Sequence, residues 1–186
     1  MHSRYAPYPQ RHRSRRSSGF TLVELVITVV VLAIIAAIAF PSFTTVQNSS
    51  RITSQVNSLV AGVQQARMEA VRLGRPVSVC RSTDGATCAG AGRWEQWLVL
   101  APASGGQPAE VLQSARAHPS VQITSEVQQI TFGSNGLARG ADGGLLATTL
   151  TVCMPTTKPA ENQRRLAIAS GSRVSTTSID GAGACP

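Results

Sequence analysis

The sequence predicts an α+β protein in which a long N-terminal helix packs on small antiparallel β-sheets. The first 21 residues of that helix, from Phe20 to Phe40, are apolar apart from one acidic residue, Glu24. Residues 43–73 contain no Pro and a single Gly, and their apolar residues recur at spacings of three and four, as on one face of a helix. From residue 75 onward the pattern changes to short β-rich runs separated by Gly-rich turns, which is typical of antiparallel sheets.

Residues 1–19 are predicted to be a cytoplasmic leader that is removed from the mature protein. They are rich in Arg and Ser and contain no acidic residue. Five of the 17 Lys and Arg residues lie here, so removal leaves twelve basic residues against nine acidic ones and lowers the net charge from +8 to +3. Basic residues beside an apolar span are held on the cytoplasmic side of a membrane. The overall basicity is therefore a topology signal rather than an indication of nucleic-acid binding. The five leader arginines are Arg4, Arg11, Arg13, Arg15 and Arg16.

Residues 20–40 are predicted to form the transmembrane half of the helix. At ~1.5 Å per residue they span roughly 30 Å, the thickness of the hydrocarbon core. A secretory signal ends in small residues at the far side of its apolar run, whereas Gly19 lies on the near side. Cleavage after Gly19 would leave the apolar helix on the mature chain. We therefore expect a single pass through the cell inner membrane, with the C-terminal head in the periplasm.

Residues 41–74 are predicted to form the amphipathic, periplasmic half of the helix. Pro41 is expected to kink it, because proline removes one backbone hydrogen bond. Gly74 and Pro76 are expected to end it. The predicted buried face consists of Val46, Ile52, Val56, Leu59, Val60, Val63, Ala66, Ala70, Val71 and Leu73.

Residues 75–186 are predicted to form a β-rich globular head that holds all four cysteines. The cysteines are separated by 7, 64 and 31 residues, which does not match the paired spacing of a zinc site. In an oxidising periplasm an even number of cysteines favours disulfides. We favour Cys80 with Cys88, which closes a short loop, and Cys153 with Cys185, which ties down the C-terminal tail. Three pairings are possible from sequence alone, and free structural thiols remain the alternative.

No catalytic, cofactor or metal site is predicted, so the chain is not expected to be an enzyme. His118 is the one histidine beyond the leader, and no acidic partner is visible for it. The glycines between Gly85 and Gly92 lack the Lys and the strand-to-helix setting of a phosphate loop. Trp94 and Trp97, three residues apart in an expected strand, should point to opposite faces. At least one should then be core, and a paired base-stacking role is not expected.

Glu24 is the residue in the apolar run that calls for a function, because a charge within a membrane span is costly. Hydration near the membrane surface is the simpler interpretation. Cleavage before Phe20 would create a free α-amine at the membrane boundary. The Glu24 carboxylate of one subunit can then pair with the amine of a neighbour and set the axial register of packed helices, as polar residues do in coiled coils.

The segment GFTLVELVITVVVLAIIAAIAFPSF resembles the type IV prepilin motif. The resemblance implies cleavage by a prepilin peptidase between Gly19 and Phe20, N-methylation of Phe20, and Glu24 at the fifth position of the mature chain. A plain signal anchor is the alternative interpretation.

Residues 64–74, 76–80 and 94–99 resemble the GspH/FimT family, and the likeness extends from Gly19 to about Val174. It implies a pilin-like structural subunit that contacts other pilin subunits through its N-terminal helix. The favoured function is that of a minor pilin that primes or joins a type IV pilus, with roles in pilus assembly and twitching motility. A minor pseudopilin of the type II secretion system is the alternative. Pro41, at mature position 22, and the pattern of Cys80, Cys153 and Cys185 favour the pilus.

A pilus-tip DNA receptor for transformation is the second alternative. DNA-binding FimT relatives resemble one another in a C-terminal Gly-Arg-x-Arg element. Here Ser172 separates Gly171 from Arg173, and Ser175 stands where a second Arg would be, so Arg173 alone carries over. Nearby basic residues could make phosphate contacts if they share a face, whereas the simpler interpretation is that they solubilise strand ends. These residues are Lys158, Arg164 and Arg165.

Overall fold

The computed structural model of the chain describes residues 19–140 and 142–186, with the side chains of residues 38–42 excepted. The leader predicted at residues 1–19 lies outside this range except for Gly19. The chain forms two compact units, Met1–Phe40 and Pro41–Pro186. Each unit is described by itself below.

In the described part of the chain a single helix, α1, runs through Leu22–Leu73. Residues 22–40 belong to the first unit, where the described side chains are exposed along the helix. Within the described residues, no helix combines the length and apolar content needed to cross a membrane. The transmembrane assignment of residues 20–40 and the kink at Pro41, whose side chain lies outside the described part, stay predictions.

In the second unit, one face of α1 is buried. Its buried apolar side chains alternate in spacing between four and three residues and are Ile52, Val56, Leu59, Val63, Ala66 and Ala70. The helix ends before Gly74, whose φ of 64° gives the left-handed conformation common after a helix C-terminus. The predicted buried face is wrong at Val46 and Val71, which are 63% and 55% exposed. Val46 lies about 120° around the helix from Ile52, and Val71 lies about 100° from Ala70, so both leave the buried stripe.

Nine strands lie within the described residues of the second unit. They are β1 (Val77–Ser82), β2 (Gln96–Ala101), β3 (Glu110–Arg116), β4 (Gln122–Ser125), β5 (Gln129–Phe132), β6 (Ala138–Arg139), β7 (Thr148–Cys153), β8 (Gln163–Ile168) and β9 (Val174–Ile179). They form a five-stranded sheet in the order β3-β2-β1-β5-β6 and a four-stranded sheet in the order β4-β7-β8-β9. Every pairing between these strands is antiparallel. The predicted α+β class, with a long N-terminal helix and small antiparallel sheets, is confirmed.

The core lies where α1 meets the inner faces of both sheets. Leu59 and Val63 of the helix, Trp97 of β2 and Leu150 of β7 belong to one buried cluster. Among the described residues, every buried apolar side chain lies in the Pro41–Pro186 unit. That unit therefore contains its own hydrophobic core.

Both tryptophans belong to this core, each with 1% of its surface exposed. The expectation that they point to opposite faces of one strand is wrong, because Trp94 precedes β2, which begins at Gln96. The Trp94 backbone N–H donates to the carbonyl of Ile123 at 2.9 Å and so joins this segment to β4. Neither indole is accessible to a stacked base.

Candidate functional site

The N-terminal segment places Gly19 and Phe20 just outside the helix. Neither residue has regular secondary structure, and both are exposed. The helix starts at Leu22 because Thr21 caps it: the Glu24 N–H donates to Thr21 Oγ1 at 3.2 Å. The bond between Gly19 and Phe20 therefore lies on an accessible, non-helical stretch, which is the local geometry that a peptidase requires.

Glu24 occupies the third helical position and is exposed. A carboxylate in the first turn is favoured by the partial positive charge of the helix N-terminus. Within the described residues Glu24 has no ion-pair partner.

The side chains on both sides of Glu24 in the sequence present apolar surface all round the helix. Leu25 is 58% exposed and Leu32 is 64% exposed, although both are large and aliphatic. A helix that is apolar all round requires burial in lipid or among other helices. The exposed large residues of this stretch are Leu22, Val23, Leu25, Val26, Ile27, Val29, Val30, Val31, Leu32, Ile34 and Ile35.

Two disulfides join the same pairs that the sequence favours. Cys80 bonds to Cys88, and Cys153 bonds to Cys185, each with a Cα–Cα distance of 5.6 Å. The first disulfide closes the loop after β1, and the second attaches the C-terminal tail to the end of β7.

Asp84 organises the loop closed by the first disulfide. One carboxylate oxygen accepts the Thr87 hydroxyl at 2.6 Å, and the other accepts the backbone N–H groups of Thr87 and Ala86, each at 2.8 Å. The Ser82 hydroxyl donates a further bond at 3.0 Å. Because these four bonds favour the ionised form, led by the one from the Thr87 side chain, the pKa of Asp84 is held well below its ordinary value.

Asn162 holds the C-terminal tail in place from inside the protein. It is fully buried, and its Nδ2 donates to the carbonyls of Met154 at 2.9 Å and Ala184 at 3.1 Å. Its Oδ1 accepts the N–H of Gly181 at 2.9 Å. The tail is therefore fixed by this amide as well as by the Cys153–Cys185 disulfide.

The four basic residues considered for DNA contacts do not share one surface. Arg164 and Arg165 are successive residues of β8, so their side chains point to opposite faces of the sheet. Arg164 Nη1 bonds to the carbonyl of Glu161 at 2.9 Å and lies 3.9 Å from its carboxylate. Arg173 lies in the β8–β9 hairpin, at the far end of the strand from Arg164. Lys158 is exposed in the loop between β7 and β8.

A basic groove of about 570 Å³, which the sequence reasoning missed, lies between the first sheet and the start of β4. Arg81, Arg93, Arg116 and His118 line it together with one acidic residue, Glu95. Arg81 Nε donates to the carbonyl of Arg93 at 2.8 Å, which fixes one guanidinium against the groove wall. The three arginines come from three separate segments, so no charge run in the sequence marks the groove.

His118 has a structural role in a turn. Its Nδ1 lies 2.8 Å from Ser120 Oγ and accepts the Ser120 N–H at 3.2 Å. The His118 backbone N–H donates to Gln55 Oε1 of α1 at 3.0 Å. No acidic residue is among the described hydrogen-bond partners of this ring, and the described residues contain no His, Cys, Asp and Glu cluster that could hold a metal ion.

Comparisons with known proteins match both parts of the chain. Residues 14–40 match the prokaryotic N-terminal methylation motif, and residues 55–172 match the family described as type II transport protein GspH. No curated protein resembles the sequence closely enough to count as a match.

Two kinds of solved structure resemble the fold. The type IV minor pilin FimU of Pseudomonas aeruginosa PAO1 is 19% identical with a TM-score of 0.53, over 70% of this chain and 94% of that chain. The minor pseudopilin EpsH from the type 2 secretion system of Vibrio cholerae is 14% identical with a TM-score of 0.51, over 69% of this chain and 97% of that chain. At these identities the likeness shows a shared fold. Because the GspH match covers more than half of the 186 residues, the chain belongs to the GspH family.

Proposed function

We propose that this chain is a structural minor pilin that primes or joins a type IV pilus. The observation that carries the proposal is the combination of a methylation motif, an apolar helix exposed on all sides and a GspH-family head. The apolar helix requires partners, and the self-contained head can remain folded while the helix changes from lipid to a bundle of subunits.

In this proposal a prepilin peptidase cleaves between Gly19 and Phe20, and Phe20 is then N-methylated. The processed subunit is held in the inner membrane by its apolar helix, with its head in the periplasm, before it enters the filament. Glu24 of one subunit pairs with the α-amine of a neighbouring subunit. The exposed position of Glu24, without an ion pair in the described part of the chain, supports this role.

No catalytic activity is proposed. The GspH and FimU relatives are structural subunits of pili and pseudopili, and the polar groups of the head hold turns and the tail in place. Backbone N–H groups of the head donate hydrogen bonds to the side chains of Asp84, His118 and Asn162.

The second candidate is a minor pseudopilin of the type II secretion system. It is favoured by the family match, which is described as a type II transport protein. Pro41 and the cysteine pattern favour the pilus. The likeness to FimU and to EpsH reports a fold that both kinds of subunit share.

A DNA receptor is the weaker candidate, because the basic residues considered for it are dispersed. Arg164 and Arg165 occupy opposite faces of β8, and Arg173 lies at the hairpin end. Contact through the FimT-like element would then depend on Arg173 alone, without the second arginine of that element.

Gene deletion tests the proposal when twitching, exoprotein secretion and transformation are scored separately. We expect loss of twitching and of surface pili with normal secretion, and recovery of both pilus traits when the intact chain is supplied. Normal piliation together with lost secretion would establish the pseudopilin function instead. Loss of transformation alone, with normal pili, would establish the DNA receptor.

A further inference from the structure

The free edges of the two sheets are protected to different degrees. β3 carries Glu110 and Arg116 at its ends, and its pairing with β2 has a register shift. β4 has four residues, and its Ile123 carbonyl already accepts the Trp94 N–H. β6 has two residues. Charges, irregular pairing and short length are the features that prevent an edge strand from pairing with another chain.

β9 has none of these protections. It is six residues long, VSTTSI, and each residue is apolar or carries a hydroxyl group. Among the described strands it pairs with β8 alone, in an unbroken register. Its four central residues, Ser175, Thr176, Thr177 and Ser178, are exposed. β9 is thus a full-length, uncharged and accessible edge.

The hairpin geometry identifies the backbone groups that face outward from β9. The Ala169 N–H donates to the Arg173 carbonyl at 3.0 Å, so these two residues form a hydrogen-bonded pair. Such pairs recur at every second residue of an antiparallel ladder. The N–H and C=O groups of Ser175 and Thr177 therefore point to β8, and those of Val174, Thr176 and Ser178 point away from the sheet.

We propose that β9 is a self-pairing site at which β9 of a second copy of this chain adds in the antiparallel direction. The two-fold axis between two such strands passes between a residue and its own counterpart. Centring it on Thr176, an outward-facing residue, lets the two Thr176 residues exchange both backbone bonds. Val174 and Ser178 then form a hydrogen-bonded pair on each side, and the two four-stranded sheets become one continuous sheet.

The side chains of β9 suit a second copy as the occupant. In this register Thr176 lies opposite Thr176 of the second copy, and Ser175 lies opposite Thr177 of the second copy. Hydroxyl groups therefore oppose hydroxyl groups, which is a favourable cross-strand pairing. The register also sets Arg173 opposite Ile179 of the second copy, next to its Asp180.

The interface is separate from contacts made by the N-terminal helix. It uses the head alone and extends beyond the proposed pilin function.

Cysteine crosslinking of the full chain in cell membranes tests the register. With Thr176→Cys, the two introduced cysteines lie at a Cα distance of about 5.5 Å, within reach of a disulfide. The matched control is Ser178→Cys, on the same strand and equally exposed. Its two cysteines are roughly 14 Å apart, given a rise of about 3.3 Å per residue. We expect mild oxidation to double the mass of the Thr176→Cys chain and to leave the control as a monomer.

A second pair of variants keeps the test valid if Thr176→Cys disturbs folding. In a chain that carries both Ser175→Cys and Thr177→Cys, the cysteine at 175 lies opposite the cysteine at 177 of the second copy. This double variant should also give a dimer. Adding Thr176→Lys to that double variant sets two lysines opposite each other and should abolish the dimer. Absence of a dimer from both cysteine designs, equal dimer from the Ser178→Cys control, or an adduct with a different subunit would each overturn self-pairing.

Discussion

The Ser172 hydroxyl accepts a hydrogen bond from the backbone N–H of Ala138 at 2.6 Å, which joins the β8–β9 hairpin to β6 of the other sheet. Ser172 is 1% exposed, and its φ of 58° lies in the left-handed region. Its carbonyl accepts Arg67 Nη1 of α1 at 3.3 Å. The serine that separates Gly171 from Arg173 thus contacts both the helix and the first sheet.

Replacing Ser172 with Ala should destabilise the head. The Ala138 N–H is buried and would lose its partner, which costs about 1–3 kcal/mol in the free energy of unfolding. Urea unfolding of residues 47–186, which contain the whole described core, measures the change. The control is Ser170→Ala, an exposed position in the same hairpin. Equal unfolding midpoints for the two variants would show that this hydrogen bond does not stabilise the hairpin.

Replacing Asn162 with Ala should loosen the C-terminal tail. The change removes one acceptor and two donor contacts at a fully buried position, and we expect a loss of about 2–4 kcal/mol. The matched control is the adjacent Gln163→Ala, which removes one exposed hydrogen bond to the Ala184 carbonyl. Hydrogen exchange should be faster at Gly181 in the Asn162 variant alone. Unchanged exchange there would mean that the Cys153–Cys185 disulfide suffices to hold the tail.

Asp84 should make the free energy of unfolding of the head depend on pH in the acidic range. Its folded-state pKa lies below the unfolded value, so its stabilising contribution is present above about pH 4 and is lost as the pH falls toward the folded pKa. Asp84→Asn should lower the urea midpoint at pH 7, and the difference from the parent should shrink at pH 3. Thr87→Val removes the hydrogen bond that lowers the pKa of Asp84 most. Its stability should therefore depend on pH less than that of the parent and more than that of Asp84→Asn. A difference that is the same at both pH values would contradict the assignment.

The buried face of α1 should account for much of the stability of the head. Leu59→Ala removes a fully buried side chain and should cost about 2–5 kcal/mol. Met68→Ala, at a 63% exposed position of the same helix, should change the free energy of unfolding by less than about 0.5 kcal/mol. Thermal unfolding of the two variants provides the comparison. Similar losses of unfolding free energy in both variants would show that the buried face of α1 is not a main source of stability.

Glu24→Ala should leave processing intact and reduce incorporation of the subunit beside its neighbours. The helix would keep its Thr21 cap, because that bond uses the Glu24 backbone N–H. Glu24→Gln is the matched control for shape and should fail in the same way if charge pairing sets the register. Crosslinking between adjacent subunits measures incorporation. Wild-type crosslinking with either variant would refute the pairing role.

The sequence predicted the elements that have strong local patterns. The helix bounds at Leu73 and Gly74 follow from the Gly signal, and the heptad-like spacing from Ile52 to Ala70 identified the buried stripe. The short β-rich runs beyond residue 75 predicted the antiparallel strands of the head as a class. β6 gives no such signal, because two residues, Ala138 and Arg139, are too few to show a periodicity.

Features that depend on the packing of distant segments could not be predicted from the sequence. The basic groove draws its residues from three segments, and the exposed edge of β9 follows from the strand order. Asn162 has no local signal either, because its partners Met154, Gly181 and Ala184 come from the end of β7 and the tail. Such arrangements are fixed by tertiary packing rather than by local preference.

Mass spectrometry of the N-terminal peptide, taken from the chain purified from membranes or sheared filaments, tests the central claim most directly. A processed pilin subunit should begin at Phe20, carry one added methyl group on its α-amine and retain Glu24 and the apolar helix. A chain that keeps residues 1–19, or one that begins beyond Phe40 after removal of the apolar segment, would contradict the assignment as a pilin-type subunit.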